Sequence, residues 1–262
     1  MQMPTNTFKR ALRQGRPQIG LWMGLADPYV AELLATAGFD CLVIDAEHSP
    51  NDPRSVLRQL QALAPYPVHP IVRPVHGSVE LIKQYLDIGA QTLIIPMVES
   101  EEQARSVVAA TRYPTRGVRG VGTAVTRASR WNQIVDYAGR SDDEMCVIVQ
   151  VESVAALTQV ERIAAVDGVD GVFFGPADLA ASMGLLGKLG DPRVQDALLE
   201  GIAAVARTGK AAGTLTSDRN LARRYLDQGA LFVAVGVDTT LMVKAASELA
   251  AEFTRPGPRA PD

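Results

Sequence analysis

The sequence predicts a single-domain (β/α)8 TIM barrel over residues 1–254, with a loose tail at 255–262. Three observations predict it. Eight apolar, β-branched runs recur along the chain, with segments of helical periodicity between them. No G-x-G-x-x-G follows the first run, which counts against an open dinucleotide-binding sheet. The length, 262 residues, is close to the roughly 250 that one closed barrel of this kind uses.

The elements follow in order. MQMPTNTFKRALRQG reads as a short helix stopped by Gly15, and it lacks the apolar centre of a signal peptide. IGLWMG (19–24) is the first strand, and YVAELLATAG is a helix that stops at Gly38. DCLVIDA (40–46) and VHPIVRP (68–74) are the second and third strands, separated by the helical VLRQLQAL. VELIKQYLDIG closes on Gly89 before the fourth strand, QTLIIPM (91–97). The interval from Tyr113 to Glu144 is irregular and holds the Gly- and Arg-rich GVRGVGTAVTRASRW. MCVIVQVE (145–152), DGVFFG (170–175) and KAAGTLT (210–216) come next, then NLARRYLDQG ending on Gly229, and ALFVAVGV (230–237). Strands this apolar are buried on both faces, as in a parallel sheet covered by helices. The glycines stand where a helix ends in a left-handed residue.

Composition narrows the function. The formal net charge is -3, so no broad basic surface recommends nucleic acid or an acidic membrane as partner. Cys41 and Cys146 sit inside apolar runs and read as small buried hydrophobes in a reduced compartment, not as a disulfide or metal cluster. No run approaches the ~18 apolar residues a membrane span needs. A cytoplasmic protein is the expectation.

Catalytic groups of such barrels gather at the C-terminal ends of the strands. There the first strand delivers Trp22; the second Asp45, Glu47 and His48; the third Arg73. The fifth delivers Gln150 and Glu152, the sixth Gly175-Pro176-Ala177-Asp178, and the seventh Leu215 and Thr216. Of the five lysines (Lys9, Lys83, Lys188, Lys210 and Lys244), Lys210 stands at a strand's start and none at a strand's C-terminal end, so Schiff-base chemistry is not expected. Electrostatic or metal-assisted chemistry is the leading idea.

Each group carries a functional and a structural reading. Glu152 and Asp178 offer hard carboxylate oxygens suited to Mg²⁺ or Mn²⁺; Asp178 reads equally as the cap of the helix begun by GPADLAAS. Asp45, three residues before His48, reads as the orienting half of a general-base pair; the alternative is a solvated His. Arg73 is either an oxyanion stabiliser or the ion-pair partner of Asp45 or Glu47. The N–H groups of Gly175 and Ala177 suit a small anion such as a carboxylate. Trp22 is core or pocket wall. His69 and His76 read as structural. Arg119, Arg127 and Arg130 are assigned either to a second substrate carboxylate or to a neighbouring subunit.

Taken together, "IDAEH", "VRP", "YPTRGVRGVG", "RASRWN", "VQVES", "GVDGVFFGPADL" and "GALFVAVGVDTTL" make the chain resemble the metal-dependent (class II) pyruvate aldolases of the HpcH/HpaI type, over essentially its whole length. The resemblance implies a (β/α)8 barrel, a homohexamer, a cytoplasmic enzyme and a place in aromatic-compound breakdown. It implies a divalent cation (Mg²⁺ or Mn²⁺, with Co²⁺ an option) on Glu152 and Asp178, a His48–Asp45 base pair and an enolate-stabilising Arg73. It also implies pyruvate contacts from Gln150, Gly175 and Ala177 and a pocket lined by Trp22 and Leu215. Asp87 falls on a position that approaches the neighbouring subunit's site.

The implied reaction is reversible cleavage of a 4-hydroxy-2-oxo acid, such as 4-hydroxy-2-oxoheptanedioate, to pyruvate and an aldehyde. His48 takes the 4-hydroxyl proton, and the enolate is held by the metal and Arg73. The same chemistry on 2-dehydro-3-deoxyglucarate, or a related metal-dependent carbon–carbon lyase, is the nearest alternative. A non-catalytic barrel that binds 2-oxo acids is the alternative from a different class.

Overall fold

The structure is a computed structural model and describes residues 1–254; the expected tail, 255–262, lies outside the described residues. In chain order the elements are α1 (Thr7–Arg13), β1 (Gln18–Met23), α2 (Pro28–Ala35), β2 (Cys41–Asp45), α3 (Pro53–Leu63), β3 (His69–Arg73), α4 (Val79–Asp87), β4 (Thr92–Ile95) and α5 (Glu101–Ala110). Then come α6 (Tyr137–Glu144), β5 (Cys146–Val151), α7 (Val154–Leu157), α8 (Val160–Ala164), β6 (Gly171–Phe174), α9 (Pro176–Ser182), α10 (Pro192–Arg207), β7 (Ala211–Leu215), α11 (Arg219–Asp227), β8 (Phe232–Val237) and α12 (Asp238–Phe253). All eight strands are parallel and close on themselves in sequence order, with β1 paired to both β2 and β8.

Side-chain alternation along the strands sorts the core into two layers. Leu42, Ile44, Leu93, Val147, Val149, Val172 and Val233 face outward and pack against the helices. Cys41, Val43, Ile71, Ile94, Ile148, Phe173 and Phe232 fill the barrel's interior. Both cysteines are free and buried, as expected. The barrel is therefore a packed core with chemistry only at its ends.

Helix α1 plugs the end opposite the mouth. Asn6 caps it by accepting the Lys9 N–H, and Gly15, at φ 68°, lets the chain turn away after it. Phe8, fully buried, stacks on His69 at 5.7 Å and meets Phe232 edge-on at 5.3 Å. His69 is a core histidine, with Nε2 2.8 Å from Thr92 Oγ1.

The irregular interval folds over the same end as a series of turns leading into α6. Arg130, Trp131, Asn132 and Asp136 all adopt left-handed backbone, which non-glycine residues reach only at a cost. Tyr113, Ala128, Ile134 and Tyr137 form a small core of their own beneath it.

Candidate active site

Strand register builds the mouth. β2 and β3 pair so that Asp45 stands directly opposite Arg73. The guanidinium grips the carboxylate with two bonds, Nε to Oδ1 at 2.9 Å and Nη2 to Oδ2 at 2.8 Å, and its Nη1 lies 2.7 Å from Glu47 Oε2. Its remaining face covers Trp22, with Cζ 4.8 Å from the ring centroid. Arg73 is thus both the ion-pair partner of two carboxylates and a wall of the mouth.

Asp45 is therefore committed. Besides Arg73 it receives the backbone N–H groups of Glu47 and His48 at 3.0 and 3.4 Å, while its carbonyl is held by Ser49 and Asn51. Burial pushes its carboxyl up, but the Arg73 bonds and charge and the Glu47 N–H outweigh that and hold it below the usual carboxylate range. The expected side-chain pairing of Asp45 with His48 takes a different form. The imidazole is 67% exposed, and its nearest carboxylate is Glu47, with Nε2 3.8 Å from Oε1. A buried strand-end carboxylate needs charged or N–H donors, and the register supplies Arg73 before the turn can supply an imidazole. Glu47's own carboxyl is raised by burial, which the Arg73 and His48 charges only partly offset.

Across the mouth, Glu152 directly follows β5 and is 4% exposed. One oxygen accepts the Met97 N–H at 2.8 Å and the other accepts Gln150 Nε2. Met97 is left-handed at φ 55°, an arrangement that turns its N–H toward the carboxylate. Burial raises the Glu152 carboxyl; the Gln150 and Met97 bonds lower it, and the nearby Asp178 adds a further upward push. Among the described residues no Lys or Arg lies within 4.0 Å of Glu152. Gly175, closing β6, leaves the space above it open: a Cβ there would collide with Glu152 Oε2 and come within 3.2 Å of Gln150 Nε2. Gln150 Oε1 is buried and has no partner. Asp178 stands in the first turn of α9 and makes no capping bond to the helix it enters.

A buried carboxylate raised in part by a second one beside it, an unused amide oxygen and a cradle that only glycine keeps clear fit a hard divalent cation with an oxygen ligand set. Glu152 and Asp178 are the residues that would hold it.

A cavity of about 580 Å³ opens over these groups. Trp22, His48, Arg73, Gln150, Gly175, Ala177, Asp178 and Leu215, all expected from the sequence, line it. Asp45 and Glu152 sit just behind that lining, each 4% exposed. Asp87 does not join them. It ends α4 at the opposite end of the barrel, paired with Arg119 at 3.0 Å. Arg119 is fully buried against Tyr113, and Arg127 donates to the Ile88 and Leu60 carbonyls, so neither reaches this chain's own mouth. A separate cavity of about 430 Å³ at that far end, among Lys9, Arg112, Asp142 and Asp170, contains none of the strand-end groups.

The cavity has a wall that the strand ends did not announce. Leu189, Gln195, Leu221 and Tyr225 line it from the loop after α9 and from α10 and α11. The one sequence signal was the i, i+4 spacing of Leu221 and Tyr225 on an amphipathic helix. That spacing marks an inward face but not what the face meets.

A closed parallel barrel with a carboxylate cradle and an arginine facing each other at its mouth suits a carbon–carbon lyase of the aldolase class. The chain belongs to the HpcH/HpaI aldolase/citrate lyase family, which it matches over residues 18–245. It is 62% identical over 249 residues to the hydroxypyruvate/pyruvate aldolase of Deinococcus radiodurans, covering 95% of this chain and 90% of that one. It is 58% identical over 248 residues to the 4-hydroxy-2-oxo-heptane-1,7-dioate aldolase of Salmonella paratyphi B, covering 95% and 94%. The crystal structure of a family protein from Burkholderia cenocepacia superposes with a TM-score of 0.91 at 40% identity, covering 95% of this chain and 99% of that one.

Proposed function

We propose that this aldolase cleaves 4-hydroxy-2-oxo acids to pyruvate and an aldehyde, and runs the addition in reverse. The observation that carries the reading is the arrangement of Arg73 opposite the Glu152–Gln150–Gly175 cradle, within one cavity. The names of the relatives, one class acting on hydroxypyruvate and pyruvate and the other on the heptanedioate, support a 2-oxo acid donor and extend it to hydroxypyruvate.

The Ala177 N–H in the first turn of α9 receives the substrate's carboxylate end, with Gly175 leaving room for it and Gln150 alongside, and the 2-oxo oxygen is oriented toward Arg73. The 4-hydroxyl proton passes to the His48 imidazole, and Glu47 beside it stabilises the imidazolium that results. As the C3–C4 bond breaks, its electron pair moves toward C2 and negative charge grows on the 2-oxo oxygen. Arg73, already fixed by Asp45 and Glu47, meets that charge without reorganising. Trp22 and Leu215 exclude water from the enolate face. Protonation at C3 completes pyruvate. Glu152 and Asp178 would hold a divalent cation, which would supply Lewis-acid stabilisation of the developing charge.

Mg²⁺ or Mn²⁺, with Co²⁺ as a further option, suits that oxygen-rich pair. The resemblance supports a cytoplasmic homohexamer working in aromatic-compound breakdown, with Asp87 assigned to a neighbouring copy's mouth. Exposed Leu241, Met242, Val243, Leu249 and Phe253 on α12 favour self-association. No helix among the described residues is long and apolar enough to cross a membrane.

The test is pyruvate release from 4-hydroxy-2-oxoheptanedioate. Release with Mg²⁺ or Mn²⁺ that EDTA abolishes is expected; cation-independent release, or none from any 4-hydroxy-2-oxo acid, contradicts the reading.

A further inference from the structure

The cavity is chemically two-sided. Its base holds the ionisable groups. Its far wall is made by Leu189, Leu215, Leu221 and Tyr225, and among the described residues Arg73 is the one lysine or arginine anywhere on its lining. That guanidinium already lies in ion pairs with Asp45 and Glu47, at 2.8 and 2.7 Å. The carboxylate of Asp218 shares the lining with the apolar wall, where it accepts the Asn220 and Leu221 N–H groups as the cap of α11.

The wall is also braced. Tyr225 Oη donates to Gln195 Oε1 at 2.8 Å, and Gln195 Nε2 donates to the Leu189 carbonyl at 2.7 Å. Both side chains are buried. This relay ties the loop after α9 to α10 and α11, so the position of Leu189 over the cavity depends on two hydrogen bonds between buried partners. A buried bond of this kind is missed most when one partner is removed and the other is left unsatisfied.

We propose that this wall is the acceptor subsite, that it selects an uncharged aldehyde over one bearing a carboxylate, and that the Tyr225–Gln195–Leu189 relay positions it. The proposal rests on the aldolase reading above. The donor's carboxylate end is bound at the base, so the aldehyde fragment projects toward Leu189, Leu221 and Tyr225. A second carboxylate placed there loses its water, finds on this chain's own lining no cation but the already paired Arg73, and faces Asp218. An alkyl or short hydroxylated chain meets no such cost. The relay residues are positioning residues, since they act on the aldehyde through Leu189.

Butanal and succinic semialdehyde have the same chain length and differ in the terminal carboxylate, so they separate the cases. The measurement is kcat/KM for pyruvate addition to each, in the wild type, Tyr225→Phe and Gln195→Leu, with pyruvate KM determined alongside. The expected wild-type preference is for butanal by at least about tenfold. Each variant is expected to raise the butanal KM by about 3- to 10-fold, and by more than it raises the pyruvate KM. Tyr225→Phe removes a single oxygen, so it reports even if Gln195→Leu folds poorly. Addition that prefers succinic semialdehyde, or variants that move both KM values in parallel, overturns the acceptor proposal and leaves the aldolase reading standing. Failure of the wild type to add pyruvate to either aldehyde or to cleave any 4-hydroxy-2-oxo acid overturns both.

Discussion

Arg73 and Asp45 face each other across the β2–β3 register and are joined by two parallel bonds of 2.9 and 2.8 Å. The pair explains why a desolvated guanidinium can wait at the mouth: its charge is balanced from behind, and its orientation is set before substrate arrives. Lys in its place would keep the charge but lose the fork that fits a carboxylate edge.

Arg73→Lys is therefore expected to lower kcat by about 10²- to 10³-fold while keeping most of the stability. Arg73→Ala should lose comparable activity and about 3–5 kcal/mol of stability, because Asp45 is left buried and unpaired. Cleavage rates and urea unfolding of the two variants check this. Equal stability in both would show that the ion pair does not hold the mouth together.

Gly175→Ala puts a methyl group against the Glu152 carboxylate and 3.0 Å from its Cβ. The carboxylate must move, and Mn²⁺ affinity is expected to fall about 10- to 100-fold, with activity falling alongside. Titration followed by Mn²⁺ spectroscopy reads the affinity directly. Wild-type affinity would mean that the cation is held elsewhere.

His48 is exposed and makes no core contact, so His48→Ala should leave stability within about 0.5 kcal/mol of wild type. Cleavage should slow by about 10²-fold or more with metal binding retained. Normal turnover in this variant would remove His48 from the proton path.

The pH dependence of stability has an identifiable source in His69. Burial holds its pKa down at about 4, against an ordinary 6.5. Between those values the unfolded chain binds a proton that the native chain does not, so this contribution is complete above pH 6.5 and is lost as pH falls toward 4. From pH 7 to 5 the expected loss is about 2 kcal/mol. Glu47 and Glu152, both raised by burial, act in the opposite sense, so the comparison that isolates His69 is wild type against His69→Gln. Urea unfolding at both pH values should show a shallower acid loss in the variant; an identical slope would contradict the assignment.

The strands were legible because runs such as CLVI and MCVIV are apolar on both faces, as only buried parallel strands are. The mouth was legible for the same reason: Asp45, Arg73, Glu152 and Asp178 interrupt or end those runs, where burial makes an ionisable group conspicuous. What a side chain would touch was harder to read. His48 follows Asp45 by three positions, yet the carboxylate belongs to Arg73, 28 positions away, because strand register outranks local spacing. Gln195 and Tyr225 looked like ordinary helix positions, since a bond spanning 30 residues leaves no mark on either segment. Asp87 was legible as an acid at the end of a helix that closes on Gly89 just before the fourth strand, and the structure keeps it there, away from its own mouth. The turns at 130–136 depend on left-handed backbone at Arg130, Trp131, Asn132 and Asp136, residue types that do not announce it.

Formation of a pyruvate enolate at this mouth is the step on which the proposed chemistry stands. Following the pyruvate methyl signal by NMR in D₂O, with EDTA and then with added Mg²⁺ or Mn²⁺, tests it most directly. Deuterium exchange that needs the cation and is lost in Arg73→Ala is expected. Exchange that persists in EDTA, or that survives the loss of Arg73, would contradict it.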